Sequence, residues 1–128
     1  MKIQMTDVPA ATLQKMTADG VTAPNQCYHN AARIVLGRLI PEAKYVLCWV
    51  KDVTGGTHGH AVIEVQGLYY DPTLQANSGI SSSYIRFRTY DYAALVALLK
   101  NKFGPDFNSV GFIPPALLPG GKVECVKV

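Results

Sequence analysis

The chain has little charge, few cysteines and no long apolar run. Each shortage removes a class of function. Charged residues make up 16% of the 128 positions against 48% hydrophobic, which excludes a disordered, solvating chain. The formal charge is only +3, with Lys and Arg scattered. The longest basic cluster, Arg86-Phe87-Arg88, alternates along a strand and reads as an edge strand rather than a patch for nucleic acid. No stretch approaches the roughly 20 apolar residues of a membrane span, so no membrane partner is expected. The first residues, Met-Lys-Ile-Gln-Met-Thr-Asp, contain no apolar run of signal-peptide length. Three cysteines, Cys27, Cys48 and Cys125, leave an odd one however they pair, and none are spaced as a metal or redox pair. A reducing cytoplasm with free thiols is the expectation, and with it a cysteine available as a nucleophile.

What remains is enough for one domain, 1–128, with a single core of ordinary size. The segment Val8 to Ala18 has helical spacing at Leu13 and Met16, with Thr6 or Asp7 as cap, Pro9 near its first turn and Gly20 at its end. A second helix is expected from Gln26 to Ile40, capped by Asn25 and stopped by Pro41, which would set Cys27 in its first turn. Tyr45 to Val53 is β-branched and aromatic, a strand by composition. Ser83 to Tyr90 alternates as a half-exposed strand, and Asp91 to Phe103 reads as an amphipathic helix ended by Gly104-Pro105. A Pro- and Gly-rich tail leads to a last strand within Lys122 to Val128. Helices, then mostly hairpin-linked strands, then a helix predict an α+β fold with N-terminal helices packed on an antiparallel sheet.

Between His60 and Thr73 the chain reads as a β-hairpin. With Gln66-Gly67 as a two-residue turn, Val65 faces Leu68, Ile63 faces Tyr70 and Val62 faces Asp71. Ala61, Ile63, Val65, Leu68 and Tyr70 then share one face, a core face; His60, Val62, Glu64, Tyr69 and Asp71 share the other. His60 and Asp71 become diagonal neighbours within side-chain reach. A turn longer by one residue would break that pairing. A carboxylate beside one ring nitrogen fixes the tautomer of an imidazole and stabilises its protonated form. A thiol in the first turn of a helix meets the positive end of the helix dipole and outward-pointing N–H groups, which favour the thiolate and can serve an oxyanion. Gln26 can add a side-chain amide donor there.

Each residue also has a plain structural reading. A cysteine in a helix is commonly a small buried hydrophobe, a strand histidine a packing residue, and Asp-Pro-Thr a turn opener. Their joint order and the parity of the hairpin favour the chemical one. Among other residues, Gly55 to Gly59 allow a loop to bring substrate close to His60, with His58 and Gly59 on its rim, and Trp49 reads as core or cleft wall. His58 and His60 with Cys27 or Cys48 form a weak zinc pattern without a clear third ligand, so no metal is assigned. Asn30 reads as solvating a helix face, and Tyr69, Tyr70, Tyr84 and Tyr90 as sheet packing.

The stretches Asn25-Gln26-Cys27-Tyr28, His60-Ala61-Val62-Ile63-Glu64-Val65 and Tyr70-Asp71-Pro72-Thr73 resemble the papain-like superfamily, in particular its transglutaminase-like branch. Small bacterial or phage papain-fold proteins are similar in length. The resemblance covers about positions 25 to 73. It implies Cys27 as nucleophile, His60 as general base and acid, and Asp71 as orienting residue, with Gln26, Tyr28, Trp49, His58 and Gly59 around the oxyanion and substrate. Tyr28 stands where the family often has Trp after the cysteine, Val62 replaces the Trp of the histidine strand, and the upstream oxyanion glutamine has no clear counterpart. The function expected is a thiol hydrolase or acyltransferase on an amide bond of a protein or peptide: a glutamine deamidase, a transglutaminase-like enzyme or a peptidase. That chemistry needs no cofactor. The alternative is a catalytically inactive module of the same fold that acts by docking on a partner protein.

Overall fold

The computed structural model describes residues 1–51, 54–77, 79, 83–105, 116–117 and 123–124. Its centre is the antiparallel pair that composition marks most strongly, β2 (Lys44–Lys51) against β3 (Thr57–Val65), in unbroken register from Lys44↔Glu64 to Lys51↔Thr57. The strand expected to run to Val53 is described as far as Lys51; Asp52 and Val53 lie outside the described residues. The Gln66-Gly67 turn forms as expected. Both residues have positive φ, 51° and 82°, the geometry that matches strand twist in a two-residue hairpin. It sets Val65 against Leu68 and Ile63 against Tyr70 in β4 (Leu68–Tyr70).

The strand ends there. Asp71 leaves the ladder and starts α3 (Pro72–Asn77), so the expected Val62–Asp71 pair does not form. Asp71 followed by proline is itself a helix-start pattern: the Asp71 carboxylate accepts from the Leu74 N–H at 3.1 Å, and proline suits the first helical position.

β5 (Tyr84–Tyr90) pairs along β2, with a bulge opposite Leu47–Cys48, and β1 (Lys2–Ile3) adds to its outer side. The sheet order is β1-β5-β2-β3-β4. The edge-strand reading of Arg86 and Arg88 is therefore corrected in part: β1 pairs with Tyr84 and Ile85, the Arg86 N–H donates to the Met1 carbonyl at 2.7 Å, and among the described residues no strand pairs with β5 beyond that on this side. The N-terminal segment does more than add a strand. Two residues beyond Ile3, Met5 bridges Tyr69 of β4 and the Thr6 N–H donates to the Tyr69 carbonyl at 2.7 Å. The same short segment thus touches both ends of the strand order, and the sheet must curl so that its edges meet.

A curled sheet has two covered faces. On the outer face, Tyr45, Leu47, Ala61 and Ile63 pack with helix residues Met16, Ala31, Ala32, Ile34, Val35, Leu95 and Leu99. Side chains like Leu95 and Leu99, with no exposed area, each contribute about 1.5–3 kcal/mol by leaving water. On the inner face, Ile3, Val46, Cys48, Val50, Val62 and Tyr84 form a second cluster, with Met5 and Tyr69 against it. The apolar core face drawn from the hairpin is the outer one, except that Leu68 is 50% exposed; the face taken as polar is largely buried inside the curl.

The helices differ from expectation mainly at their ends. α1 (Ala10–Ala18) begins two residues late, with Pro9 and not Thr6 or Asp7 at the N-cap. Val8 is held outside the helix by Gln75, whose Oε1 accepts from its N–H at 2.7 Å and whose Nε2 donates to its carbonyl at 3.0 Å; a residue before proline also avoids helical geometry. α2 (Cys27–Leu36) has Gln26 at its N-cap while Asn25 turns through φ 61°, so Asn25 does not cap it. It stops at Gly37, four residues before Pro41. Arg38 takes a positive φ of 50°, its N–H donates to the Val35 carbonyl at 3.2 Å, and the Leu39 N–H reaches back to Ile34 at 3.1 Å, a closed helix end that needs no proline. α4 (Tyr92–Phe103) matches its reading closely: Asp91 caps it through the Ala94 N–H at 2.7 Å and Gly104 ends it at φ 84°. In the tail β6 (Ala116–Leu117) pairs with β7 (Val123–Glu124); the rest of the expected Lys122–Val128 strand, its proline- and glycine-rich approach and Cys125 lie outside the described residues. No described helix is long and apolar enough to cross a membrane.

Candidate active site

His60 sits in the middle of β3 on the inner face, opposite Cys48 of β2, and is only 5% exposed. Its Nε2 lies 2.8 Å from Asp71 Oδ2. Two local features bring the carboxylate there. The tight turn gives β4 the parity that points residue 71 inward, and the helix start at Pro72 then pins Asp71 by its Oδ1. β4 covers only Ile63 to Val65, and among the described residues the earlier part of β3 has no ladder partner on that side. α2 packs against β3, and its first residue, Cys27, is half-buried with its thiol in hydrogen-bonding contact with His60. Nε2 is taken by Asp71, which leaves Nδ1 as the ring nitrogen available to the thiol.

Burial works against a charged imidazole, yet the hydrogen bonds and negative charge of Asp71 and Cys27 outweigh it, and His60 is pushed up from 6.5 to about 10. The fold thus favours the protonated imidazole. Cys48, fully buried with its Sγ 3.6 Å from the His60 carbonyl, is likewise pushed far up: burial first, then the charges of Asp71 and Cys27, hold it as a thiol.

The remaining residues singled out from sequence are spread around this centre. Gln26 is exposed, and its side chain does not cap α2. Tyr28 packs toward the outer core. His58 is exposed on the same strand face as His60, ring centroids 6.4 Å apart. Trp49 and its ladder partner Gly59 lie on the outer face, across the sheet from His60; Trp49 is 37% exposed and stacks edge-on with Phe87 at 6.3 Å, so it is not core. Among the described residues no three His, Cys, Asp or Glu side chains are grouped to hold a metal ion.

Two residues of the site read differently from expectation. Asn30 is buried at 2% exposure, not on a solvated helix face. Its Nδ2 donates to the Ala23 carbonyl at 2.9 Å and to Thr73 Oγ1 at 3.0 Å, tying α2 to the start of α3. Tyr84 is not only sheet packing: fully buried, it donates its hydroxyl to Asp71 Oδ2 at 2.6 Å. For Asn30 a signal existed, a polar residue one turn after Cys27 on a helix with apolar neighbours. For Tyr84 none did, because its partner is set by the curl of the sheet. Comparison with protein-family models, with curated proteins and with solved structures finds no match.

Proposed function

We propose that the chain is a small thiol hydrolase or acyltransferase of papain-like, transglutaminase-like type that acts on amide bonds through Cys27, His60 and Asp71. One observation carries the reading: a single buried imidazole that hydrogen-bonds both a carboxylate and a thiol at a helix start. Cys27 gives its proton to His60 as Sγ attacks the carbon of a carboxamide or peptide carbonyl; the carbonyl π pair moves to oxygen, facing N–H groups that a helix's first turn directs outward. As the tetrahedral carbon collapses, His60 gives its Nδ1 proton to the nitrogen, the C–N bond breaks and ammonia or an amine leaves a thioester. Water, or a second amine, then gives its proton to His60 and attacks the thioester, and Cys27 is released with the proton returned to the pair. Asp71 keeps the ring in the orientation that both transfers require. Gln26, beside the sulfur in sequence and not spent on capping, is the side chain best placed to add a donor to the oxyanion.

Limited labelling with iodoacetamide near neutral pH, followed by peptide mass mapping, tests the reading. Cys27 is expected to react at least about tenfold faster than Cys48 or Cys125, and to lose that advantage in His60→Ala. Equally slow labelling of all three thiols would end it.

A further inference from the structure

The Asp71 carboxylate is held by more donors than an orienting residue requires. Oδ1 accepts from the Leu74 N–H; Oδ2 accepts both His60 Nε2–H at 2.8 Å and the Tyr84 hydroxyl at 2.6 Å. The Tyr84 bond has the length of a charge-assisted O–H···O bond to an anion. It comes from β5, two strands away from β3 in the sheet, and spans the inner face past Cys48 of the intervening strand. Tyr84 has no exposed area, and its ring lies 6.2 Å from that of His60.

We propose that Tyr84 is a positioning residue of the thiol site, whose hydroxyl fixes Asp71 and shares the charge on Oδ2, so that the imidazole is held by a tempered carboxylate. The catalytic meaning rests on the thiol-enzyme reading, whereas the effect on His60 does not. His60 faces Asp71, Tyr84 of β5, Cys48 of β2, Cys27 of α2 and, on its own strand, His58. Of these, Asp71 and Tyr84 meet on one oxygen, and Tyr84 acts on the ring through that oxygen. A base that must surrender its proton to a leaving amine is hindered by a partner that holds the protonated ring too firmly. His60 already stands well above its ordinary value, so a donor that takes up part of the carboxylate's charge works in the direction of proton release.

Tyr84→Phe keeps the ring and deletes the hydroxyl, and nitrogen NMR of the His60 imidazole across pH reads the result. The titration is expected to move upward by roughly half a pH unit or more, because the charge on Oδ2 is no longer shared. In an Asp71→Asn background the same substitution should add nothing further. An unmoved His60 titration in folded Tyr84→Phe overturns the proposal, as does a shift that persists in full beside Asp71→Asn, which would mean that the tyrosine acts through packing. Should Tyr84→Phe not fold, the unaltered chain still decides. The Tyr84 hydroxyl proton is then expected as a downfield, slowly exchanging resonance close to the His60 Nε2 proton, and its absence overturns the proposal. The thiol-enzyme reading fails separately: if Cys27 labels no faster than Cys48, that reading ends, while a His60 titration displaced in Tyr84→Phe still supports the action of Tyr84.

Discussion

At the scale of single residues, Asp71 joins the stability of the chain to its chemistry. It caps α3, accepts from Tyr84 and pairs with His60, all without contact with water. Removing one partner of a buried, hydrogen-bonded ion pair costs about 3–5 kcal/mol, since the other partner is left buried and unsatisfied. Asp71→Ala is therefore expected to lose that much in urea unfolding. Asp71→Asn should lose clearly less, because an amide oxygen can still accept from Leu74 and fill the space. Equal losses would show that the charge and its donors matter less than the volume. Asn30 belongs to the same scale. Its amide bonds hold the start of α2 to that of α3, so Asn30→Ala should cost about 1–3 kcal/mol and slow Cys27 alkylation by loosening the thiol from His60. His60 and Asp71 were legible as a pair because a period of two and one glycine suffice to place them on the same side. Asn30 and Tyr84 were not, since each bonds to a group brought near by another element.

At the scale of elements, the hairpin and α2 show why one boundary reads well and another does not. The β3–β4 turn is a local device: two residues with positive φ, one of them glycine, between strands whose apolar residues alternate. Every determinant lies within ten residues. Gly67 adopts φ 82°, and no atom would contact a side-chain carbon there, so Gly67→Ala should cost backbone strain alone, about 1 kcal/mol in urea unfolding. The preference of iodoacetamide for Cys27 should remain, because the register, and with it the position of Asp71, is unchanged. Loss of that preference would mean that the turn, and not the strand pattern, holds the register. The end of α2 is different. Apolar residues continue to Ile40 and proline follows, a pattern that favours a longer helix, yet Arg38 closes the helix in the left-handed region. Its guanidinium then lies 4.1 Å over the Tyr92 ring of α4. That cation–π contact, from another element, is a reason for the early turn that no local pattern contains. The start of α2 was legible to within a residue, which was enough to put Cys27 in its first turn.

At the scale of the whole molecule, the curl of the sheet decides what His60 experiences. The α+β class and the antiparallel sheet could be read from the order of elements. The curl could not: it depends on residues 2 to 6, a segment with little strand character of its own, meeting both β5 and β4. Through it the polar face of the hairpin becomes an interior, and His60 and Cys48 become buried titratable groups with consequences of the same sign. His60 is pushed up from 6.5 to about 10 in the fold, so its contribution to stability is complete below about pH 6.5 and is lost as pH rises through 10. Cys48 stays a thiol in the fold but ionises near 9.0 when unfolded, so unfolding releases a proton above that pH and stability falls further. The urea midpoint is thus expected to decline from neutral toward alkaline pH. His60→Gln should flatten the part of the decline below about pH 9 and leave the later part; Cys48→Ala should do the reverse. A midpoint in the unaltered chain that holds level between pH 6.5 and 10 would show that the fold does not prefer the protonated imidazole.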